Sequence, residues 1–140
     1  MLSLMLGLAA ATGADRIAIF KAAGFAPTAG RYLMCDKQTP LGLETRDING
    51  DGRLDAIVLD GGLECYGSTE SGFVILTRSA AGKWARLHGS PGVPHFLATK
   101  SKGWPDLEVG GPGFCFPVLR WTGSEYANYR WQYQGKPCRR

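Results

Sequence analysis

Asp47-Ile-Asn-Gly-Asp-Gly-Arg-Leu-Asp55, running on into Ala56-Ile-Val-Leu59, is the stretch that decides how this chain folds. Side-chain oxygens fall at loop positions one, three, five and nine, on Asp47, Asn49, Asp51 and Asp55. The main-chain carbonyl of Arg53 falls at position seven, and Gly52 stands at position six. This donor set suits a hard divalent cation, calcium above all, which takes six to eight oxygens at about 2.3–2.6 Å. Gly52 allows a sharp turn that a Cβ would resist. Carboxylates this close repel one another until a cation neutralises them. The competing reading is a plain turn, since Asn-Gly and Asp-Gly are good turn dipeptides. A plain turn needs one acidic residue, whereas this loop carries Asp47, Asp51 and Asp55.

The flanks of the loop are not helical. An EF-hand closes with a bidentate Glu at position twelve; here that position is Val58, so the loop closes at Asp55. Leu54 to Leu59 is a short apolar run rich in β-formers, bounded by Gly52 and by Gly61-Gly62. It reads as a buried strand, and Leu41 to Arg46 reads as a weaker one before the loop.

Asp-Ile-Asn-Gly-Asp-Gly-Arg-Leu-Asp-Ala-Ile-Val (residues 47–58) resembles the calcium loop and following strand of FG-GAP (VCBS-like, integrin-propeller-type) repeats. The resemblance implies a nine-residue calcium loop within a β-hairpin, with Asp47, Asn49, Asp51, the Arg53 carbonyl and Asp55 as ligands. It covers about a dozen residues, and the chain is too short for a propeller of several blades. The chain as a whole also resembles small secreted proteins of Gram-negative bacteria, a likeness that implies no activity.

Working outward, Asp15 is placed to cap a short helix over Arg16–Ala23, stopped by Gly24. Gly30–Cys35 reads as a strand. Gly72–Arg78 and Lys83–His88 make a hairpin around Ser79–Gly82. In its second strand, simple alternation puts Trp84, Arg86 and His88 on one side. Pro91 and Pro94 then interrupt the chain; Pro105–Val109 follows as a strand, and Phe114–Trp121 with Glu125–Tyr133 form the last hairpin. A faint repeat runs through this order: Leu54-Asp-Ala-Ile-Val58, Cys65 and Phe73-Val-Ile-Leu76 parallel Pro105-Asp-Leu-Glu-Val109, Cys115 and Pro117-Val-Leu119. The second copy lacks the acidic loop. The expected fold is mainly antiparallel β (α+β), with a short N-terminal helix and two similar β-units in one compact domain.

The 140 residues suit one domain. The uncharged, apolar opening to Ala14 reads as a signal peptide over residues 1–14, leaving a disulfide-stapled β-rich domain over 15–140. That opening is too short for a transmembrane helix. Cys35, Cys65, Cys115 and Cys138 contain no CxxC pair, so zinc by spacing is disfavoured. With an export signal they imply two disulfides in an oxidising compartment, periplasmic or secreted. Three pairings are open; Cys35–Cys65 with Cys115–Cys138 is preferred, because each pair staples neighbouring sequence.

Residues 44–70 hold seven acidic and two basic side chains, whereas basic residues outnumber acidic ones over 101–140. No nucleic-acid-binding module pattern is present. His88 and His95 sit in no hydrolase motif and there is no Gly-x-Ser-x-Gly elbow. Both histidines read as surface or hydrogen-bonded residues. Tyr129, Trp131 and Tyr133 alternate along one strand and so share a face, and Trp104 lies near the Gly110–Gly113 turn; these four are the candidate partner-binding residues. The function expected is a calcium-binding module without catalysis, whose partner is a protein or a cell-envelope polymer. The alternatives are a small periplasmic hydrolase with an unrecognised site, and an inhibitor or immunity protein for an envelope-acting toxin.

Overall fold

The computed structural model describes residues 12–140. The leader expected over 1–14 therefore falls, except for its last three residues, outside the described part. Helix α1 (Gly13–Ala22) comes first. Then come β1 (Gly42–Arg46), β2 (Asp55–Gly61), a single helical turn α2 (Leu63–Tyr66), β3 (Ser71–Arg78) and β4 (Trp84–Pro91). The second half is β5 (Val93–Ser101), β6 (Trp104–Gly110), β7 (Phe116–Trp121), β8 (Tyr126–Tyr133) and the short β9 (Lys136–Pro137). Strands β1 to β4 form one antiparallel sheet in chain order, and β5 to β9 form the other.

The two sheets are copies of one meander. Ala56 opposes Leu76 as Leu107 opposes Leu119, and Ile57 opposes Ile75 as Glu108 opposes Val118. Arg78 opposes Trp84 as Trp121 opposes Tyr126. Each copy even carries a β-bulge at the same place. Between Ile75 and Leu76 the partner strand has one extra residue, Leu87; between Val118 and Leu119 it has Tyr129. The repeat read from the sequence is thus a structural one.

The copies stack face to back. Ala56, Val58, Val74 and Leu76 point from the rear of the first sheet onto Ile19, Phe20 and Ala23 of α1. Ile57, Phe73 and Ile75 point from its front into a core shared with Leu107, Val109, Leu119, Trp104, Trp121 and Tyr126 of the second sheet. Leu107, Val109 and Leu119 are the second copy's rear residues by register. Its front, carrying Asp106, Glu108, Val118 and Arg120, therefore lies on the side away from the first sheet, with Asp106 and Val118 nonetheless fully buried. The first sheet is buried on both faces, which is why β2 reads as a continuous apolar run.

Several expectations are corrected. The helix begins at Gly13: Thr12 is its N-cap, and Asp15 is the third residue of a capping box rather than the cap. Gly30–Cys35 is not a strand. Isolated bridges Thr28–Arg31 and Leu33–Pro40 fold it as a loop, pinned where the Cys35 amide donates to Asp60 Oδ1 at 2.8 Å. Strand β5 runs through Pro94 rather than breaking there. Pro94 sits on an edge strand opposite Val109, where its missing N–H is harmless. Trp104 is buried in the inter-sheet core against Trp121, with ring centroids 5.6 Å apart, and offers no surface to a partner.

Both bulges break simple alternation. The extra Leu87 turns His88 away from the side of Trp84 and Arg86, into the inter-sheet layer opposite Ile75. The extra Tyr129 sits on the front face, its ring 4.0 Å from the Arg120 guanidinium. Trp131 opposes Pro117 at the rear, under Arg140. Tyr129 and Trp131 do not share a platform; Tyr133 packs edge-on against Phe114 and Phe116.

The disulfides are Cys35–Cys65 and Cys115–Cys138, with Cα atoms 6.2 and 5.8 Å apart, the preferred pairing. In the chain-entropy model each contributes about 3–4 kcal/mol. They fit an oxidising compartment. Among the described residues, no helix is long and apolar enough to cross a membrane.

Candidate metal centre

The loop between β1 and β2 begins just after Arg46 and ends at Asp55, the two residues that close the hairpin ladder. Gly50 and Gly52 take left-handed φ values of 75° and 84°, which residues with a Cβ adopt reluctantly. Around these turns the loop winds so that its amides point at its own side-chain oxygens. Asp47 Oδ1 accepts from the Gly50 amide at 2.8 Å and the Asp51 amide at 3.2 Å, while its Oδ2 accepts from the Gly52 amide at 2.8 Å. Asn49 Oδ1 accepts from the Asp51 amide at 3.2 Å, and Asp51 Oδ1 accepts from the Arg53 amide at 2.8 Å. Ile48 anchors the loop in the inter-sheet core.

Asp55 is different in kind from the other three. Its side chain is fully buried, at 0% exposure. Oδ2 accepts from the Ile48 amide at 2.8 Å, and Oδ1 accepts from the Thr77 hydroxyl at 2.7 Å. Both partners are neutral. Burial pushes its carboxyl above the ordinary carboxylate range, and the nearby Asp51 charge pushes the same way. Among the described residues no ion pair reaches it; Arg53 pairs instead with Asp51 at 3.1 Å, on the exposed side of the loop.

The second copy makes the contrast sharp. Asp106 occupies the place of Asp55 and is equally buried. Arg120, directly across the ladder where the first copy has Thr77, donates to both its oxygens, Nε to Oδ1 at 3.0 Å and Nη2 to Oδ2 at 2.8 Å. Thr99 donates to Oδ2 at 2.6 Å. Burial alone would raise Asp106, but the Arg120 and Thr99 hydrogen bonds and the Arg120 charge more than reverse this and hold it below the ordinary range. One buried carboxylate has a built-in cation and the other has none.

The donors at Asp47, Asn49, Asp51, Arg53 and Asp55 are all oxygens, the chemistry a hard cation selects. Among the described residues, no group of three or more His, Cys, Asp or Glu side chains already encloses a metal position. The side-chain oxygens of Asp47, Asn49 and Asp51 rest on loop amides; Asp47 Oδ1 already accepts two, while Asn49 Oδ1 and Asp51 Oδ1 accept one each.

Asp60 is a third buried acid. It accepts from the Cys35 and Gly61 amides, both at 2.8 Å, and from the Tyr66 hydroxyl at 2.6 Å. It fastens the first disulfide to β2. The Cys–Gly-rich surroundings carried no periodic signal for it.

The histidines lie apart. His95 is exposed on edge strand β5, opposite Glu108. His88 packs between Phe73 and Tyr126, ring centroids 6.0 and 6.1 Å away, and lines a cleft of about 390 Å³ between the sheets with Ser90, Asn128 and Arg140. Its Nε2 is buried without a hydrogen-bond partner. Burial, then the Arg86 charge, lowers its pKa. The Ser90 hydroxyl donates to the Pro91 carbonyl rather than to His88. No protein family, curated protein or solved structure matches this chain.

Proposed function

We propose that this chain is an exported binding module, periplasmic or secreted, whose 47–55 loop takes calcium as a structural clamp. Asp47, Asn49, Asp51, the Arg53 carbonyl and Asp55 would hold the ion. The supporting observation is Asp55: a fully buried carboxylate with two neutral partners and a like charge nearby, whereas its equivalent in the duplicate meander, Asp106, is paired with Arg120. Burying a charge without a counter-charge is costly, and a cation at the loop would relieve that cost. The ion would neutralise the loop and tie β1 to β2.

Extracellular-type calcium sites bind in the range of about 0.1–1 mM. At about 1 mM free calcium and a dissociation constant near 0.1 mM, binding would add roughly 1.4 kcal/mol. Isothermal titration of the chelator-stripped protein with calcium tests this. Heat that saturates at one ion per chain supports the clamp. A flat titration, equal to that of Asp51→Ala, removes it.

A further inference from the structure

Large exposed apolar side chains gather at one end of the stacked meanders. Of the five such residues among those described, Ile17 lies on α1 and Tyr129 in the middle of β8. The other three stand where β2, β6 and β8 end and β3, β5 and β7 begin: Leu63 is 64% exposed, Val93 54% and Phe114 77%. The two sheets end level there. The Gly92 amide donates to the Ser71 carbonyl, Val93 opposes Gly110, and a Cβ built on Gly111 would touch Thr69. The 47–55 loop is at the far end of β2, about 20 Å away at strand rise.

Phe114 is the most prominent of the three. It stands on the turn between β6 and β7, where residues 111–114 are all exposed and Gly113 takes a left-handed φ of 99°. Tyr133 packs edge-on against its ring at 5.5 Å, and most of Phe114 stays free. The Cys115–Cys138 disulfide braces this turn. Phe114 flanks one of its cysteines and Arg139 the other, so their Cα atoms are at most about 13 Å apart. Lys136 and Arg139 are exposed, and neither is in an ion pair among the described residues. Arg140 is already engaged, its guanidinium over Trp131 and its Nε donating to the Cys115 carbonyl. The exposed acids of this end, Asp36, Glu64 and Glu70, lie on the first copy's side with Leu63.

We propose that the second copy's half of this end docks on a lipid bilayer surface carrying anionic headgroups, with Phe114 entering the interface and Lys136 and Arg139 against the headgroups. A projecting ring on a braced turn needs a medium it can enter, and free cations beside it select negative charge; an anionic lipid interface supplies both. Tyr133, apolar in its body and polar at its tip, suits the same boundary. One ring and two cations give weak, reversible docking. The inference rests on the binding-module reading, names its partner class and uses none of the candidate calcium ligands.

The test is co-sedimentation of the full chain, in calcium and again in chelator, with vesicles of equal parts phosphatidylglycerol and phosphatidylcholine, and with pure phosphatidylcholine vesicles as the control. Binding to the anionic vesicles alone, the same with and without calcium and fading between about 50 and 500 mM salt, supports the docking end. Phe114→Ser should weaken binding about tenfold, the loss of one buried ring. Lys136→Gln and Arg139→Gln should each weaken it about fivefold. Lys83 is an exposed cation on the β3–β4 turn, at the opposite end, so Lys83→Gln should change nothing. All four side chains are exposed, and the variants should melt as wild type does. Absent binding, equal binding to the neutral vesicles, binding that requires calcium, unchanged binding in Phe114→Ser, or a comparable loss in Lys83→Gln each overturns the proposal. A Phe114-dependent dimer in sedimentation overturns it too, by assigning this end to a second copy. Calcium titration of the same samples separates the two ideas: vesicle binding with a flat calcium titration sinks only the clamp, and calcium uptake without vesicle binding sinks only the docking end.

Discussion

At the scale of single residues, two equivalent acids behave in opposite ways. Asp55 is raised by burial and Asp106 is lowered by Arg120. Without calcium, a raised Asp55 favours the fold fully below its unfolded value near 3.8, and that favour is lost as pH rises through the higher folded value. Asp106 contributes above about 3.8 and loses its contribution as pH falls through its lowered folded value. In chelator, Asp55→Asn should therefore melt at or above wild type at neutral pH, with the gap closing on acidification. Asp106→Asn should melt below wild type at neutral pH, with its deficit closing in acid. Melting curves across pH check both signs. His88 adds a third titration. Its pKa is depressed, so its contribution is present above about 6.5 and lost as pH falls below that toward the folded value. His88→Leu should flatten the loss of stability that wild type shows below about pH 6.5.

At the scale of elements, the strands were legible where one rule decided them. The β2 run, the β3–β4 hairpin and the last hairpin follow from β-formers bounded by turn residues. What escaped was set by neighbours rather than by local pattern. The bulges at Leu87 and Tyr129 each shift half a strand by one residue, and a shift of one residue changes the face of every side chain beyond it. That is why His88 lies between the sheets and why Tyr129 parts from Trp131. Strand β5 escaped because Pro94 is tolerated only on an edge, and edge position is not written in the segment itself. Between the two copies the chain turns at Gly92, with φ of 117°, where an added Cβ would lie 2.6 Å from the Gly110 carbonyl oxygen. Gly92→Ala should cost about 2 kcal/mol or more, from strain and overpacking together, read as a lowered denaturant midpoint.

At the scale of the molecule, duplication explains both what is stable and what is exposed. The first meander is covered on both faces, by α1 and by the second meander; the front of the second belongs to neither core cluster. The repeat and the disulfide pairing could be read in advance because they depend on order along the chain. The burial of Trp104 could not, because it depends on how one copy's rear meets the other's front. The acidic loop was legible as a donor set, but the solitude of Asp55 emerged only by comparison with Asp106 and its arginine. Paired thermal melts of wild type and Asp55→Asn, each in about 1 mM calcium and in chelator, bear most directly on the buried charge. Calcium should raise the wild-type midpoint by about 5 °C and leave Asp55→Asn unmoved. Equal midpoints for wild type with and without the ion, or an equal rise in Asp55→Asn, would contradict a cation bound at that carboxylate.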